Sequence, residues 1–378
     1  MPFERPTGGD RALVVALDLG RESKSRLDEI AALAESAGAT VVGNIGGRRS
    51  RPDPALFAGR GKVEEIAAAR RDGDAELVIF DHALSGVQQR NLEQALECRV
   101  VDRTSLILDI FAQRARSAEG KLQVELAQLN HMATRLVGGW THLERQKGGI
   151  GLRGPGETQL ETDRRLLQKR LEQLQKRLDK VEVQRTQMRR ARVRSELPRI
   201  ALVGYTNAGK STLFNRLTAA NVYAANQLFA TLDTTLRRVH VEGAQTIVLS
   251  DTVGFIRDLP HDLVAAFRAT LAEAADADLL LHVVDASAAN RDEQIDAVDA
   301  LLAEIGAAGV PQIRVLNKCD LADMAPGIER DPCGTIASVR VSAVTGAGLA
   351  ALRAALAERF PAQRAAVSES IETPARSG

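Results

Sequence analysis

The chain has 378 residues, of which 44% are hydrophobic and 26% charged, and its formal net charge is +1. This length is too great for one ordinary domain and predicts two or three domains, each able to bury its own core. No apolar run approaches the length of a membrane span, and the first residues lack the hydrophobic segment of a signal peptide, so a soluble cytoplasmic protein is expected. Cys98, Cys319 and Cys333 lack metal-ligand spacing, which argues against a zinc site or a disulfide framework.

The N-terminal third alternates between strand and helix patterns. Strands are predicted at 11–18, 40–45, 76–80 and 98–101, and helices at 25–37, after Lys62, at 85–96 and from Arg103 onward. This alternation is typical of a small parallel sheet covered by helices. The sequence GRGK at 59–62 is interpreted as a tight turn, with contact to an anion or RNA as the alternative.

Narrow apolar stripes replace this alternation further along the chain. Hydrophobic residues recur in steps of three and four in two stretches, namely Leu122, Leu126, Leu129, Ala133 and Leu136, and then Leu167, Leu171, Leu174, Leu178 and Val181. The intervening residues 148–158 are too rich in glycine to be helical. Two helices joined by this loop are predicted to form an antiparallel coiled-coil hairpin, in which the stripes serve packing.

The outer face of the second hairpin helix carries an excess of positive charge. Residues 163–194 contain twelve bases and four acids, in a chain whose net charge is only +1. A solvated helix face is one interpretation, but the size of the excess and Arg153 in the loop favour a polyanionic partner such as RNA. Trp140 is the only aromatic residue near the loop, so contacts to phosphates and RNA shape are expected rather than base stacking.

A phosphate-binding motif follows the hairpin. The apolar run 200–203 leads into the pattern G-x-x-x-x-G-K-S, formed by Gly204, Tyr205, Thr206, Asn207, Ala208, Gly209, Lys210 and Ser211. Such a loop turns backbone N–H groups toward an anion at the start of a helix, while its lysine and serine meet the β/γ-phosphates and Mg²⁺. A strand-turn-helix junction without a ligand is the alternative for this motif taken alone.

Two loops between the phosphate loop and the base-recognition motif are candidate switches. Asp251, Thr252, Val253 and Gly254 fit D-x-x-G, in which the aspartate can hold Mg²⁺ through water and the glycine N–H can touch the γ-phosphate. Upstream, the candidate first switch comprises Phe229, Ala230, Thr231, Leu232 and Asp233, followed by Thr234 and Thr235. One threonine is expected to complete the Mg²⁺ shell, and spacing alone does not choose among Thr231, Thr234 and Thr235.

The base-recognition motif predicts guanine. Asn317, Lys318, Cys319 and Asp320 fit N-K-x-D after an apolar strand. A carboxylate can accept hydrogen bonds from N1–H and N2–H of guanine, whereas adenine lacks this donor pair and would leave the charge unpaired. A later loop that contains Ser342, Ala343 and Val344 follows another strand and is expected to contact the guanine through its backbone.

The ordered set GYTNAGKS, FATLD, DTVG, NKCD and SAVTG, preceded by GGIGLRGPGETQLETDRR at 148–165, resembles the HflX family of ribosome-associated GTPases. The resemblance extends from about Ala12 to Phe360. It implies that Gly204–Ser211 bind phosphate, that Ser211 and Thr231 bind Mg²⁺, that Phe229–Asp233 and Asp251–Gly254 are switches, and that Asn317–Asp320 with Ser342–Val344 hold guanine. It further implies that Lys210, Thr231 and Gly254 act in the hydrolysis of GTP to GDP and phosphate.

The same resemblance implies partners. These are the large (50S) ribosomal subunit and its rRNA, reached by the hairpin loop near the peptidyl-transferase region, with splitting or rescue of stalled ribosomes as the outcome. A monomer is expected. Many members carry a further small C-terminal domain, for which the residues after Phe360 are too few.

Two positions of the motifs suggest how hydrolysis is controlled. Phe255 follows D-x-x-G, where better-known regulatory GTPases carry a water-orienting glutamine, so slow intrinsic hydrolysis and stimulation by ribosomal subunits are expected. Asn207 matches the asparagine of potassium-activated GTPases in G-x-x-N-x-G-K-S. A K⁺ ion there could supply positive charge in the transition state.

Together these features predict an α/β protein with a Rossmann-like P-loop G domain, preceded by a small α/β domain and an antiparallel helical hairpin. The predicted boundaries are 1–118, 119–196 and 197–362, with a disordered tail at 363–378. Two other functions fit the sequence less well. One is a nucleotide-dependent RNA- or ribosome-binding regulator without productive turnover, and the other is an ATP-driven RNA remodeller that uses the 59–62 turn.

Overall fold

The computed structural model describes residues 9–20, 24–146, 164–181, 183, 197–218, 227–243, 245–259 and 268–361. The predicted glycine-rich loop at 148–158, the five bases from Arg185 to Arg194 and the predicted disordered tail at 363–378 lie outside these ranges. The strands are β1 (Arg11–Asp18), β2 (Thr40–Arg48), β3 (Leu77–Phe80), β4 (Arg99–Asp102), β5 (Arg199–Val203), β6 (Thr235–Val239), β7 (Ile247–Asp251), β8 (Leu279–Asp285), β9 (Gln312–Asn317), β10 (Gly327–Arg330) and β11 (Ile336–Arg340).

The helices lie between and after these strands, and α4, α5 and α6 follow one another between β4 and β5. They are α1 (Lys24–Ser36), α2 (Arg60–Asp72), α3 (Gly86–Leu96), α4 (Arg103–Arg114), α5 (Ala118–Gln146), α6 (residues 164–181), α7 (Lys210–Thr218), α8 (Arg268–Ala275), α9 (Arg291–Glu304) and α10 (Leu349–Arg359). In the described part of the chain, no helix is long and apolar enough to cross a membrane.

The N-terminal sheet is parallel throughout, with the strand order β2-β1-β3-β4. Successive residues of β1 point to opposite faces of the sheet, as they do in any strand. Val14 belongs to the hydrophobic cluster on one face, and Leu13 and Val15 belong to the cluster on the other. Because helices cover both faces, β1 is an apolar run rather than an alternating one, and the predicted small parallel sheet is confirmed.

Helix α5 begins on the N-terminal sheet domain and continues into the predicted hairpin. Val124 and Ala127 in its first turns are buried in the same cluster as Phe111 of α4. These two buried residues do not belong to the predicted stripe. The stripe therefore does not include every packed position of α5, because the first turns of this helix pack against α4. In α6, Leu174 is fully buried, and the other four predicted stripe residues are half-buried among exposed polar neighbours.

The second sheet has the strand order β10-β11-β9-β8-β5-β7-β6. Its five inner strands run parallel, and the edge strands β10 and β6 are antiparallel to their neighbours. The chain continues from β5 to one side of the sheet and from β8 to the other, which makes the β5–β8 pair the switch point where α/β sheets bind ligands. This is the predicted Rossmann-like arrangement.

The two sheet domains are packed directly against each other. One cluster of buried residues includes Ile107 and Phe111 of α4 together with Phe229, Phe255 and Leu271 of the second domain. The apolar contact therefore extends from the N-terminal domain to the loops at the carboxyl ends of β5 and β7.

Candidate nucleotide-binding site

The phosphate loop joins β5 to α7 at the switch point of the second sheet. Gly204 has φ 148, and a Cβ at this position would collide with the carbonyl oxygen of Val283 in β8. Gly209 has φ 93, and a Cβ there would collide with the side-chain amide of Asn317. Both glycines are therefore required by close approach as well as by backbone conformation.

Lys210 is folded back into its own loop. Its ammonium donates hydrogen bonds to the carbonyl oxygens of Gly204, at 3.0 Å, and Tyr205, at 2.8 Å. Burial lowers the pKa of this lysine to about 8, an effect that the nearby Asp251 carboxylate opposes. A phosphate group would offer the ammonium stronger acceptors than two neutral carbonyls.

Three oxygen-bearing side chains meet beside this lysine. The hydroxyl of Ser211 lies 2.6 Å from the hydroxyl of Thr231 and donates to Asp251 Oδ2, also at 2.6 Å. Thr231 lies 3.2 Å from the same carboxylate oxygen. Asp251 is 0% exposed, its Oδ1 has no hydrogen-bond partner, and burial raises its pKa. This donor set fits Mg²⁺, which prefers hard oxygen ligands and would use the orphaned carboxylate oxygen directly or through water.

Of the three candidate threonines, the structure brings Thr231 to this cluster. The Thr234 hydroxyl is buried without a partner elsewhere, and Thr235 begins β6. The hydroxyl of Thr252, next to Asp251 in the chain, does not join the cluster, because it donates to the carbonyl oxygen of Leu202 at 2.6 Å.

The D-x-x-G loop is attached to the phosphate loop through its backbone. Phe255 N–H donates to Gly204 O at 3.0 Å, and Thr206 N–H donates to Phe255 O at 2.7 Å. A Cβ on Gly254 would lie 3.1 Å from Lys210 Nζ, so the loop passes close to the phosphate-binding ammonium. The ring of Phe255 is 2% exposed and lies in the hydrophobic cluster that the two domains share.

Asn317 links the base-recognition motif to the phosphate loop. Its amide nitrogen donates to Ala208 O at 2.8 Å, and its amide oxygen accepts the backbone N–H of Ala343 at 2.9 Å. Neighbouring Lys318 has φ 62 and its ammonium contacts Asp285 at 2.6 Å. Asp285 is not part of any motif that the sequence singled out. The carboxylate of Asp320 is exposed, where a guanine edge can reach it.

The phosphate loop, the first switch segment and the D-x-x-G loop surround an open cavity of about 50 Å³. Its lining includes predicted residues from three motifs and two further residues, Thr212 and Gln227; the predicted ones are Thr206, Asn207, Gly209, Lys210, Ser211, Phe229, Ala230, Thr231, Thr252 and Gly254. Ala208, Leu232, Val253 and Cys319 are buried, so they can offer a ligand their backbone rather than their side chains. Ser342 is buried as well, whereas Val344 is 67% exposed beside the base-recognition motif.

The phosphate loop also contacts the N-terminal domain, which the sequence did not indicate. The Tyr205 hydroxyl donates to Glu29 of α1, and Arg257, two residues after Phe255, binds the same carboxylate with Nε 3.3 Å away. Arg103 of α4 approaches the other Glu29 oxygen at 2.5 Å and donates to the Arg257 carbonyl at 2.9 Å. Residues so far apart in sequence leave no periodic or motif signal, so only the folded chain reveals them.

Comparison with known proteins gives the relatives of this chain. Family models match in order: a GTP-binding GTPase N-terminal domain at 24–112, a GTP-binding GTPase middle region at 114–192, and a 50S ribosome-binding GTPase at 199–318. The chain is 58% identical over 360 residues to a protein named GTPase HflX from Escherichia coli (strain K12), covering 95% of this chain and 84% of that protein. It is 48% identical over 323 residues to GTPase HflX of Caldanaerobacter subterraneus subsp. tengcongensis, covering 85% and 76%.

A solved structure agrees with this relationship. The crystal structure of SsGBP in complex with GDP matches 93% of this chain and 98% of its own, with 25% identity and a TM-score of 0.52. The phosphate loop, the Ser211–Thr231–Asp251 cluster and the Asn317 links give the chemical basis for the same assignment. The chain thus belongs to the HflX family of GTPases and is an enzyme that binds and hydrolyses GTP.

Proposed function

We propose that this GTPase binds the large ribosomal subunit in the cytoplasm through its helical hairpin, splits or rescues stalled ribosomes, and is released when GTP is hydrolysed. The observation that carries the proposal is the surface of α6. Residues 164–181 expose seven bases and only two acids; the bases are Arg164, Arg165, Lys169, Arg170, Lys176, Arg177 and Lys180. One of them, Arg170, is paired with Glu125 of α5 at 2.5 Å, and the others face solvent. RNA phosphates match such a surface.

The site residues have defined roles in this proposal. Backbone N–H groups of 204–211 and the Lys210 ammonium bind the phosphates, and Asp320 selects guanine over adenine. Ser211, Thr231 and Asp251 would hold Mg²⁺, which neutralises phosphate charge when bound. Thr231 and the N–H of Gly254 report whether the γ-phosphate is present, since each belongs to a loop that can move away from the site.

Slow intrinsic turnover follows from the position of Phe255. The attacking water needs a polar group that orients it, and the Phe255 ring is both apolar and buried away from the cavity. The ribosome is proposed to order the missing group, so that hydrolysis follows binding to the ribosome.

A monovalent cation belongs to the same proposal. K⁺ held at Asn207, which lines the cavity, would add positive charge beside the phosphates.

Hydrolysis assays separate this function from its alternatives. GTP and ATP turnover are measured with and without purified large subunits. We expect GTP turnover to rise at least about tenfold with subunits, well within the range of known GTPase activation. Binding without turnover would favour a regulatory protein, ATP turnover would favour a remodeller, and equal GTP turnover with and without subunits would contradict ribosome-stimulated hydrolysis.

Ribosome binding is tested with charge reversal on α6. The double variant Lys176→Glu and Arg177→Glu is compared with Arg71→Glu and Arg359→Glu, which makes the same charge change on exposed positions of other helices. Co-sedimentation with large subunits should weaken for the α6 variant alone, and the difference should shrink as salt is raised. Splitting is followed as loss of intact ribosomes on sucrose gradients with a nonhydrolysable GTP analogue. Equal binding by both variants would remove the proposed role of α6.

A further inference from the structure

Both ends of the switch segment Phe229–Asp233 are attached to the N-terminal part of the chain. At one end, the Phe229 ring packs edge-on against Phe111 of α4, with ring centroids 4.7 Å apart and an interplanar angle of 89°. Phe229 is 2% exposed and its backbone is left-handed, with φ 54. This conformation is unfavourable for a bulky side chain, so surrounding contacts must hold it. The packing against α4 is such a contact.

At the other end, the carboxylate of Asp233 covers the start of α5. Its Oδ2 accepts the backbone N–H groups of Arg116, at 2.9 Å, and Ser117, at 2.8 Å, while its Oδ1 accepts the Ser117 hydroxyl. N–H groups at a helix start lack intrahelical acceptors, and the helix dipole favours a negative charge there. Asp233 is therefore a cap for α5 that is supplied by another domain.

This cap is additional to a local one. The Ser117 hydroxyl already accepts the N–H of Gly120 at 2.8 Å, which is the usual contact of an N-cap serine with the third helical residue. Helix α5 therefore does not depend on Asp233 alone for its start. The more specific consequence of the Asp233 contact is that it ties the switch segment to the two residues that lead into α5.

Thr231 lies midway between the two attachments. Its hydroxyl contacts Ser211 and Asp251, the residues that with it would hold Mg²⁺, while Phe229 and Asp233 on either side are held by α4 and α5. Only three residues lie between the two attached residues, so little freedom remains for Thr231 when both contacts are made. Loss of either attachment would let it leave the site.

We infer that Asp233 is a positioning residue, which holds Thr231 at the Mg²⁺ site by binding the N-terminus of α5. The inference rests on the proposed role of Thr231 as a ligand that engages in the GTP-bound state. It extends that role, because the same contact couples the nucleotide state to the helix that begins the hairpin. By linkage, GTP must in turn stabilise the contact between Asp233 and α5.

Nucleotide affinity measures the positioning role directly. The full chain and its variants are titrated with fluorescent GDP and a fluorescent nonhydrolysable GTP analogue at several Mg²⁺ concentrations. Asp233→Ala should lower the affinity for the GTP analogue about tenfold at limiting Mg²⁺, which is within the usual range for coupled sites. Its affinity for GDP should stay within about twofold of the wild-type value. Ser117→Ala should act in the same direction, and the double variant should be less than additive because the two residues share one contact.

A second substitution perturbs the contact without changing the GTPase domain. A Cβ on Gly120 would lie 2.5 Å from Asp233 Oδ1, so Gly120→Ala should displace the carboxylate. Alanine is intrinsically better than glycine within a helix, so a fall in GTP-analogue affinity without a fall in melting temperature would separate positioning from folding. Asp331→Ala is the matched control, since Asp331 accepts the N–H groups of Cys333 and Thr335 in the β10–β11 turn.

Amide hydrogen exchange gives a readout that does not depend on activity. The N–H groups of Arg116 and Ser117 should exchange more slowly with the GTP analogue than with GDP, and this difference should vanish in Asp233→Ala. Equal loss of GTP-analogue and GDP affinity, or no loss of either, would overturn the inference. If Thr231→Ala lowers the affinity for the GTP analogue and Asp233→Ala does not, the inference about Asp233 fails while the proposed role of Thr231 stands. If Thr231→Ala has no effect, the proposed role of Thr231 fails with it.

Discussion

The Tyr205 hydroxyl, in the phosphate loop, donates a hydrogen bond to the carboxylate of Glu29 in the first helix of the chain. The same hydroxyl accepts the backbone N–H of Arg257 at 3.0 Å. Burial and the adjacent carboxylate both raise the pKa of Tyr205, so it remains a donor at all working pH values. One half-buried carboxylate thus joins the phosphate loop, the segment after the D-x-x-G motif and the N-terminal domain.

Tyr205→Phe should destabilise the protein through this contact. The variant removes one donor and leaves a charged acceptor without it, which costs about 1–3 kcal/mol. Glu29→Gln should also cost about 1–3 kcal/mol, because the buried Arg103 loses one charged acceptor while it keeps its ion pair with Asp81. Midpoints of urea unfolding for the two variants and the double variant measure both effects and their coupling. Unchanged midpoints would show that the contact does not contribute to domain docking.

Lys210 should make GTP binding depend on pH in a defined direction. Burial lowers its pKa to about 8 without nucleotide, whereas bound phosphates favour the charged ammonium and must raise that pKa. Below pH 8 the lysine is already protonated, and above it each binding event takes up a proton, so affinity should fall as pH rises through 8.

Calorimetry detects this proton directly. At a pH just above 8, the apparent binding enthalpy should differ between two buffers with different ionisation enthalpies, and the difference should disappear well below that pH. Lys210→Arg is the control, because its guanidinium stays charged throughout and should show no proton uptake. Equal enthalpies in both buffers at the higher pH would contradict the assignment.

Phe255→Gln should not create a faster enzyme. The residue holds the position of a water-orienting glutamine in sequence, but its side chain is 2% exposed and points into the shared core rather than the cavity. A glutamine there buries an unpaired amide and loses aromatic packing, so stability should fall by about 2–5 kcal/mol. Intrinsic turnover, measured at a temperature where the variant is folded, should not exceed that of the wild type. A rise would show that the side chain can reach the attacking water.

The sequence predicts those parts of the site whose chemistry lies within one loop. Each of the motifs around Lys210, Asp251 and Asn317 lies at the end of a strand with buried apolar residues, and parallel strands bring such loops to one edge of a sheet. The strands of the N-terminal sheet were predictable for the same reason, since their apolar runs are local. Edge strand β6 was not predicted, because its residues Arg237 and Arg238 face solvent and break the apolar pattern.

The contacts between domains could not be predicted in this way. Glu29 and Asp233 are charged residues on a helix and a loop, where a solvated carboxylate is the ordinary expectation. Glu29 is 176 residues from its partner Tyr205, and Asp233 is 116 residues from its partner Ser117. Only the docking of two folded domains brings these pairs together. Asp233 was expected at the nucleotide as part of FATLD, and its carboxylate instead faces α5 in this structure.

Potassium should accelerate GTP hydrolysis relative to sodium if Asn207 holds a monovalent cation. Asn207 has φ 61, a left-handed conformation that asparagine and glycine tolerate better than other residues, so its presence also has a purely conformational explanation. Asn207→Gly separates the two, since glycine keeps the backbone of the loop and removes the amide. Wild-type turnover should be about tenfold higher in KCl than in NaCl, a modest share of what one electrostatic group can contribute. The glycine variant should retain GDP affinity and lose the difference between the salts, whereas equal wild-type rates in both salts would leave only the conformational role.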